Sequence, residues 1–131
     1  MEIDLFCILP DDELFARVRE NCAVYQERAK VVAPHDGAAV LVAGGPSVRH
    51  RISTIRERQR AGQKIFALNG SAKYLNDHGI IPDYQVLLDP QSFLKDYIGR
   101  ADEYLVASQC HPDVLTFVPR PVLWHVATDH A

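Results

Sequence analysis

The chain has no hydrophobic run long enough to cross a bilayer, because its apolar stretches are short and broken by charge or glycine. A membrane is therefore not an expected partner. The N-terminus, Met1-Glu2-Ile3-Asp4, lacks the basic stretch of a secretory signal. Cysteine is scarce: Cys7, Cys22 and Cys110 are odd in number and widely spaced. This gives neither a disulfide framework nor a CxxC metal pattern, and a reducing cytoplasm is the expected compartment. Positive charge is not in surplus either. With 14 basic and 17 acidic residues the net charge is −3, which argues against general affinity for nucleic acid. One stretch departs from this balance: Arg49, Arg51, Arg56, Arg58, Arg60 and Lys64 stand against a single acid, Glu57. It reads either as the solvated face of a helix or as a cluster facing a phosphate ligand.

What is there suits one domain with a real core, since 131 residues are too few for two full ones. Residues 1–36 read as an N-terminal arm and helix. Asp11 is the expected cap of a helix reaching about Lys30, with Leu14, Val18, Cys22, Tyr25 and Ala29 as its apolar stripe. Pro34-His35-Asp36-Gly37 is a turn, and the main domain is expected over 37–131. There Ala39 to Ala43 is a continuous small apolar run, as in a strand buried on both faces. Gly44-Gly45-Pro46-Ser47 breaks it, and a helix follows with Val48, Ile52, Ile55 and Gln59 on one side, ending at Gly62. The unit then repeats. Strands are expected at Ile65–Leu68, Tyr84–Leu88, Tyr104–Ala107 and Pro121–Val126, with helical segments at Ala72–His78, Phe93–Ile98 and after His111.

Strands alternating with helices at this spacing predict an α/β, Rossmann-like three-layer sandwich with a mostly parallel sheet of about five strands, preceded by the N-terminal helix. Ligands in such sheets bind beyond the carboxyl ends of the strands, near the point where strand order reverses. The candidates are then the residues just after each strand. Gly44 and Gly45 let the backbone turn sharply and let a ligand approach with no Cβ in the way. Pro46 suits a first helical turn, and Ser47 follows where unpaired N–H groups would favour an anion. The loop is neither GxGxxG nor a Walker A sequence, and a ligand-free turn accounts for it equally well. Asn69 and Gly70 close the second strand. The Asn69 amide suits a base edge or a ribose hydroxyl, with a turn capped by Ser71 as the plainer reading. Asp89 closes the third strand and could hold Mg²⁺ or act as a base, or simply form a turn with Pro90. Asp83, at the opposite strand end, reads as a turn residue. Cys110, His111, His125, Asp129 and His130 fit no closed zinc pattern. A histidine contacting phosphate is the better reading of that group. Cys110 and Trp124 read as core. The chain stops five residues after Val126 with no closing helix, so a longer protein is expected to continue past Ala131.

The pieces Val42-Ala43-Gly44-Gly45-Pro46-Ser47, Ala67-Leu68-Asn69-Gly70, Leu75, Gly79-Ile80-Ile81-Pro82-Asp83-Tyr84 and Leu88-Asp89-Pro90 occur in a characteristic order and spacing. Together they resemble the family shared by archaeal 6-hydroxymethylpterin diphosphokinases, the MptE-like domain, and the bacterial motility accessory factors that glycosylate flagellin. Cys110-His111-Pro112 and Trp124-His125 are similar to bacterial and phage members. The resemblance implies a Rossmann-like transferase domain. One branch moves diphosphate from ATP to a pterin alcohol with Mg²⁺, and the other moves a nonulosonic acid from a CMP-sugar. It further implies that Gly44, Gly45, Pro46 and Ser47 hold phosphate, that Asn69 with Gly70 meets the nucleotide, and that Asp89 meets the metal or the acceptor. A third reading keeps the fold as a nucleotide- or glycan-related binding module without catalysis. The expected partners are a nucleotide and a small-molecule acceptor.

Overall fold

The sheet forms where the chain carries β-branched and apolar runs, and each run ends where glycine, proline, asparagine or aspartate stops it. A computed structural model describes residues 9–125. In chain order it shows α1 (Asp11–Val24), β1 (Ala39–Val42), a 3₁₀ turn (Pro46–His50), α2 (Ile52–Arg60), β2 (Lys64–Leu68), α3 (Ser71–Asp77) and β3 (Tyr84–Leu87). A second 3₁₀ segment (Ser92–Tyr97), β4 (Glu103–Ala107), α4 (Pro112–Phe117) and β5 (Pro121–Trp124) follow. All five strands pair in parallel, in the order β1-β2-β3-β4-β5. The α/β fold, the parallel five-stranded sheet and the leading helix are those read from the sequence. No described helix is long and apolar enough to cross a membrane.

Strand order advances without reversal, so the expected switch point is not found among the described strands. A consequence follows for packing. Right-handed crossovers that always step the same way put their helices on the same face, so the crossover helices form one layer and not the two of the expected three-layer sandwich. The buried clusters agree. Val42, Ile65 and Ala67 pack with Ile55 of α2 and with Ala72 and Leu75 of α3, and Leu87, Tyr104, Val106 and Leu123 pack with Leu94, Val114 and Leu115. By strand alternation, Leu41, Phe66, Tyr84, Val86, Leu105 and Val122 share the other face with Ala107, and of these Ala107 alone is buried. Leu41 is 71% exposed, so β1 is an edge strand covered on one side, not the doubly buried strand its composition suggested. Phe66 and Tyr84 stack with ring centroids 4.5 Å apart and shield each other there.

The N-terminal helix ends at Val24, well before Lys30, with Tyr25 already extended. The reason is an edge pairing. The Leu123 N–H donates to the Glu27 carbonyl at 2.9 Å, and the Ala29 N–H donates to the Leu123 carbonyl at 2.8 Å. Residues 27–29 thus run beside β5 and cover its outer edge. Asp11 does not cap. Pro10 takes that position without a side-chain bond, and Asp11, Asp12 and Glu13 sit in the first turn, favourably for its dipole. The helix docks on its own sheet through buried Asn21, whose Nδ2 donates to the carbonyls of Ser108 and Cys110, each at 2.9 Å.

Asp83 works as a brace at the amino ends of β2 and β4. Its Oδ2 accepts the Ile65 N–H at 2.8 Å, its Oδ1 pairs with Lys64 Nζ at 3.2 Å, and its carbonyl accepts the Glu103 N–H. Partial desolvation pushes the carboxyl up, but the Ile65 N–H and the Lys64 ammonium together pull it below the ordinary aspartate value. A carboxylate with a lowered folded pKa adds stability above its unfolded pKa and loses it as pH falls through the folded value. The melting temperature of wild type should therefore exceed that of Asp83→Asn near neutrality, and the gap should close below about pH 4. A gap that persists unchanged at pH 2.5 would assign the effect to shape and not to charge.

Candidate functional site

The carboxyl ends of β1 and β2 open on a cavity of about 620 Å³. Its floor is the loop after β1, from Ala43 to Pro46, with Val48 and Arg49 of the 3₁₀ turn. The loop after β2, from Leu68 to Ser71, forms a second side, and Tyr74 of α3 and Tyr97 add aromatic walls. A volume of this size takes a drug-sized or nucleotide-sized ligand.

The glycines of the first loop are not needed by the protein's own packing. An ideal Cβ on Gly44 would meet nothing within 4 Å, and one on Gly45 would meet only Ser47 Oγ at 3.9 Å. Gly45 has φ −70° and ψ 149°, which any residue adopts. A side chain at either position would therefore project into open space. The helix expected after this loop is in fact broken at Arg51 (φ −121°, ψ 5°) into the short 3₁₀ turn and α2. Few aligned peptides back the loop, so the helix dipole contributes less than the sequence suggested. Arg49 supplies positive charge at the cavity instead. The remaining basic residues go elsewhere: Arg56 donates to the His78 carbonyl at 2.7 Å, and Lys64 pairs with Asp83.

The second loop is held in a conformation only a few residues tolerate. Asn69 has φ +46°, in the left-handed region where asparagine is enriched. Its N–H donates to the Val86 carbonyl at 2.8 Å, and its Oδ1 accepts the Leu88 N–H at 3.1 Å. Its Nδ2 has no hydrogen-bond partner among the described residues, and the residue lines the cavity. Gly70 lies in close approach to Tyr97: a Cβ there would stand 2.9 Å from the ring and push it aside. Ser71 is the first residue of α3 and does not cap it. Its buried hydroxyl points back to the carbonyls of Val42 and Leu68, each at 2.8 Å, and ties the ends of β1 and β2 together.

The fold thus brings Gly44, Gly45, Pro46, Asn69 and Gly70 to one cavity, while Ser47 and Asp89 are not among its lining residues. Ser47 is exposed in the same loop. Asp89 is half-buried at the end of β3, where its Oδ1 accepts the Gln91 N–H at 2.9 Å in an Asx turn. The sequence reading missed Tyr74, Tyr97 and the wholly buried Gln85 of β3. For Gln85 a signal existed: it is the one polar residue in the strand, at a position facing the helices.

A second group of polar residues lies at the ends of β4 and β5. His125 Nδ1 is 2.6 Å from the hydroxyl of buried Ser108, and its Nε2 is 4.0 Å from Cys22 Sγ. Cys110 is wholly buried, and burial pushes its thiol up to about 12, which keeps it protonated and unreactive. Its thiol donates to the Leu87 carbonyl at 3.6 Å. His111 Nδ1 accepts the Asp113 N–H at 3.1 Å and so caps α4. No three His, Cys, Asp or Glu residues converge on a metal position among the described residues. Asp129 and His130 lie outside the described residues, as does Cys7.

No curated protein and no solved structure shows significant similarity to the chain. A family model does match, over residues 14–130, and that span includes most of α1, every described strand and both cavity loops. By that match the chain belongs to the family described as 6-hydroxymethylpterin diphosphokinase MptE-like.

Proposed function

We propose that this chain is a nucleotide-dependent transferase domain that holds the phosphates of ATP against the Gly44–Ser47 loop and passes diphosphate to a pterin-type alcohol. The observation that carries the reading is the cavity itself. Gly44 and Gly45 leave room where a Cβ would stand, Arg49 adds a cation, and Asn69 Nδ2 is an unused donor. Open backbone, a guanidinium and an amide form the donor set that phosphates and a nucleoside need. Family membership supports a diphosphokinase-like chemistry.

In that reaction the acceptor oxygen bonds to the β-phosphorus, the bond from that phosphorus to the α,β-bridging oxygen breaks, and AMP leaves with the electron pair. Catalysis of this kind is positioning plus stabilisation of charge on phosphate oxygens. Arg49 and the loop amides would meet the phosphates. Asp89 is the proposed carboxylate at the acceptor side, where it takes the alcohol proton or holds Mg²⁺. One of its oxygens is not used by the Gln91 N–H. That matches an ion that arrives on phosphates and takes one or two carboxylates, and such an ion would neutralise phosphate charge.

Calorimetric titration with ATP, CTP, CMP and a CMP-sugar, each with and without Mg²⁺, tests the reading. Binding of ATP that requires Mg²⁺ is the expected result. Binding of CMP without metal would move the assignment to sugar transfer from a CMP donor. No binding of any of them at millimolar concentration, by a folded sample, would remove the nucleotide reading altogether.

A further inference from the structure

We infer that Gln85 is the positioning residue of the cavity, a buried amide that ties its two facing walls together. Gln85 is 0% exposed, in the middle of the sheet. Its Nε2 donates to the Asn69 carbonyl at 2.7 Å and to the Tyr97 carbonyl at 3.0 Å. Its Oε1 accepts the Gly99 N–H at 3.0 Å. The orientation of the amide is fixed by its partners, because two carbonyls need donors and one N–H needs an acceptor. Both protons of the Nε2 group are used, so the group has no further partner to switch to.

The placement of these three bonds matters. Asn69 carries the left-handed φ of the second loop, and Tyr97 is the aromatic wall whose ring lies over Gly70. Neither is held to the other by a direct bond among the described residues. Gln85 joins them from beneath, and through Gly99 it also fixes the chain that leaves the Tyr97 segment. Tyr104 Oη donates to the Gly99 carbonyl at 2.8 Å and braces the same turn from β4. The distance between the Asn69 side and the Tyr97 side of the cavity is thereby set by one side chain that never reaches the ligand. A buried amide with all its bonds made is a rigid link, and one with its bonds lost leaves three backbone groups unsatisfied.

Gln85→Met keeps the length and removes every hydrogen bond, and Gln85→Asn keeps an amide that is one methylene too short to span both walls. Either variant that folds serves. The expected result in amide hydrogen exchange is about tenfold faster exchange at Asn69, whose N–H donates to the Val86 carbonyl, and at Gly99, whose N–H donates to Gln85 itself, with strand amides of β4 and β5 unchanged. The affinity for ATP with Mg²⁺ should fall about tenfold. Val114→Ala, a core truncation in α4, is the control. It should lower the melting temperature and leave both the Asn69 exchange and the affinity as in wild type. The ligand arm rests on the proposed nucleotide reading, and the exchange arm does not. If wild type binds no nucleotide, that reading fails alone and the exchange data decide the role of Gln85. Unchanged exchange at Asn69 in the Gln85 variant would overturn the inference. So would an equal loss of affinity in Val114→Ala.

Discussion

Gly45→Val is expected to weaken nucleotide binding by at least about a hundredfold, equivalent to roughly 2.7 kcal/mol, with the fold intact. The position has φ −70° and ψ 149°, which valine adopts readily and which is also the conformation favoured before proline. The nearest atom to the added Cβ would be Ser47 Oγ at 3.9 Å, an ordinary contact. Nothing in the protein is displaced, so the stability change should stay within about 0.5 kcal/mol, as for other surface substitutions. The new isopropyl group would instead fill the space from which a phosphate could approach the loop backbone. Thermal melting and calorimetry on the same samples measure both halves. Unchanged affinity would leave the loop as a turn with no ligand.

Gly99→Val should do the reverse and destabilise the fold by about 3 kcal/mol or more, on the scale of severe overpacking. A Cβ there would lie 2.8 Å from Asn76 Oδ1, 3.0 Å from the Lys73 nitrogen and 3.2 Å from the Ala72 carbonyl carbon. Two of these are backbone atoms in the first turn of α3, which cannot step aside without moving the helix. Asn76 is itself committed, since it accepts the Arg100 N–H at 2.7 Å and donates to the carbonyls of Ile80 and Arg100. Relief would have to come from the Gly99–Arg100 turn, which Gln85 and Tyr104 hold. Denaturant unfolding gives the magnitude. A loss below about 1 kcal/mol would mean that the turn is freer than its contacts imply. The pair of substitutions is informative together: the same change at two glycines should separate ligand binding from folding.

Much of this architecture was legible beforehand. Gly62 and Gly79 have φ +89° and +73°, so the two helix-ending turns read from glycine were real left-handed stops. Strand positions followed from apolar runs between breakers, and β2 to β5 fall within a residue or so of their expected starts. The errors have definite causes. The helix after Gly45 was expected to be continuous because Val48, Ile52, Ile55 and Gln59 keep helical spacing. The break at Arg51 leaves that spacing almost unaltered. The N-terminal helix was drawn too long because Tyr25 and Ala29 extend its stripe. Their segment is taken up by the edge of β5, about a hundred residues away in the chain. Asp89 is a separate case: it follows a strand as Gly44 and Asn69 do, yet it does not line the cavity, because β3 lies one strand further into the sheet and its end folds into an Asx turn.

The sequence by itself determined the alternation of strands and helices, the family, and the loop from Gly44 to Ser47 as the place where a ligand could meet bare backbone. These depend on local chemistry: periodicity, turn residues, and the absence of a Cβ. Only the tertiary structure decided which strand ends share a cavity, since strand order, which here follows chain order, is set by pairing between distant segments and not by local pattern. It also decided that the arginine near the loop is Arg49, that Tyr97 faces Gly70, and that a glutamine in the middle of a strand joins the two walls. The contacts of Gln85 and Tyr97 join residues separated by a dozen or more positions. No local pattern encodes such a separation, and the burial of Gln85 acquires its meaning only once its three partners are brought around it.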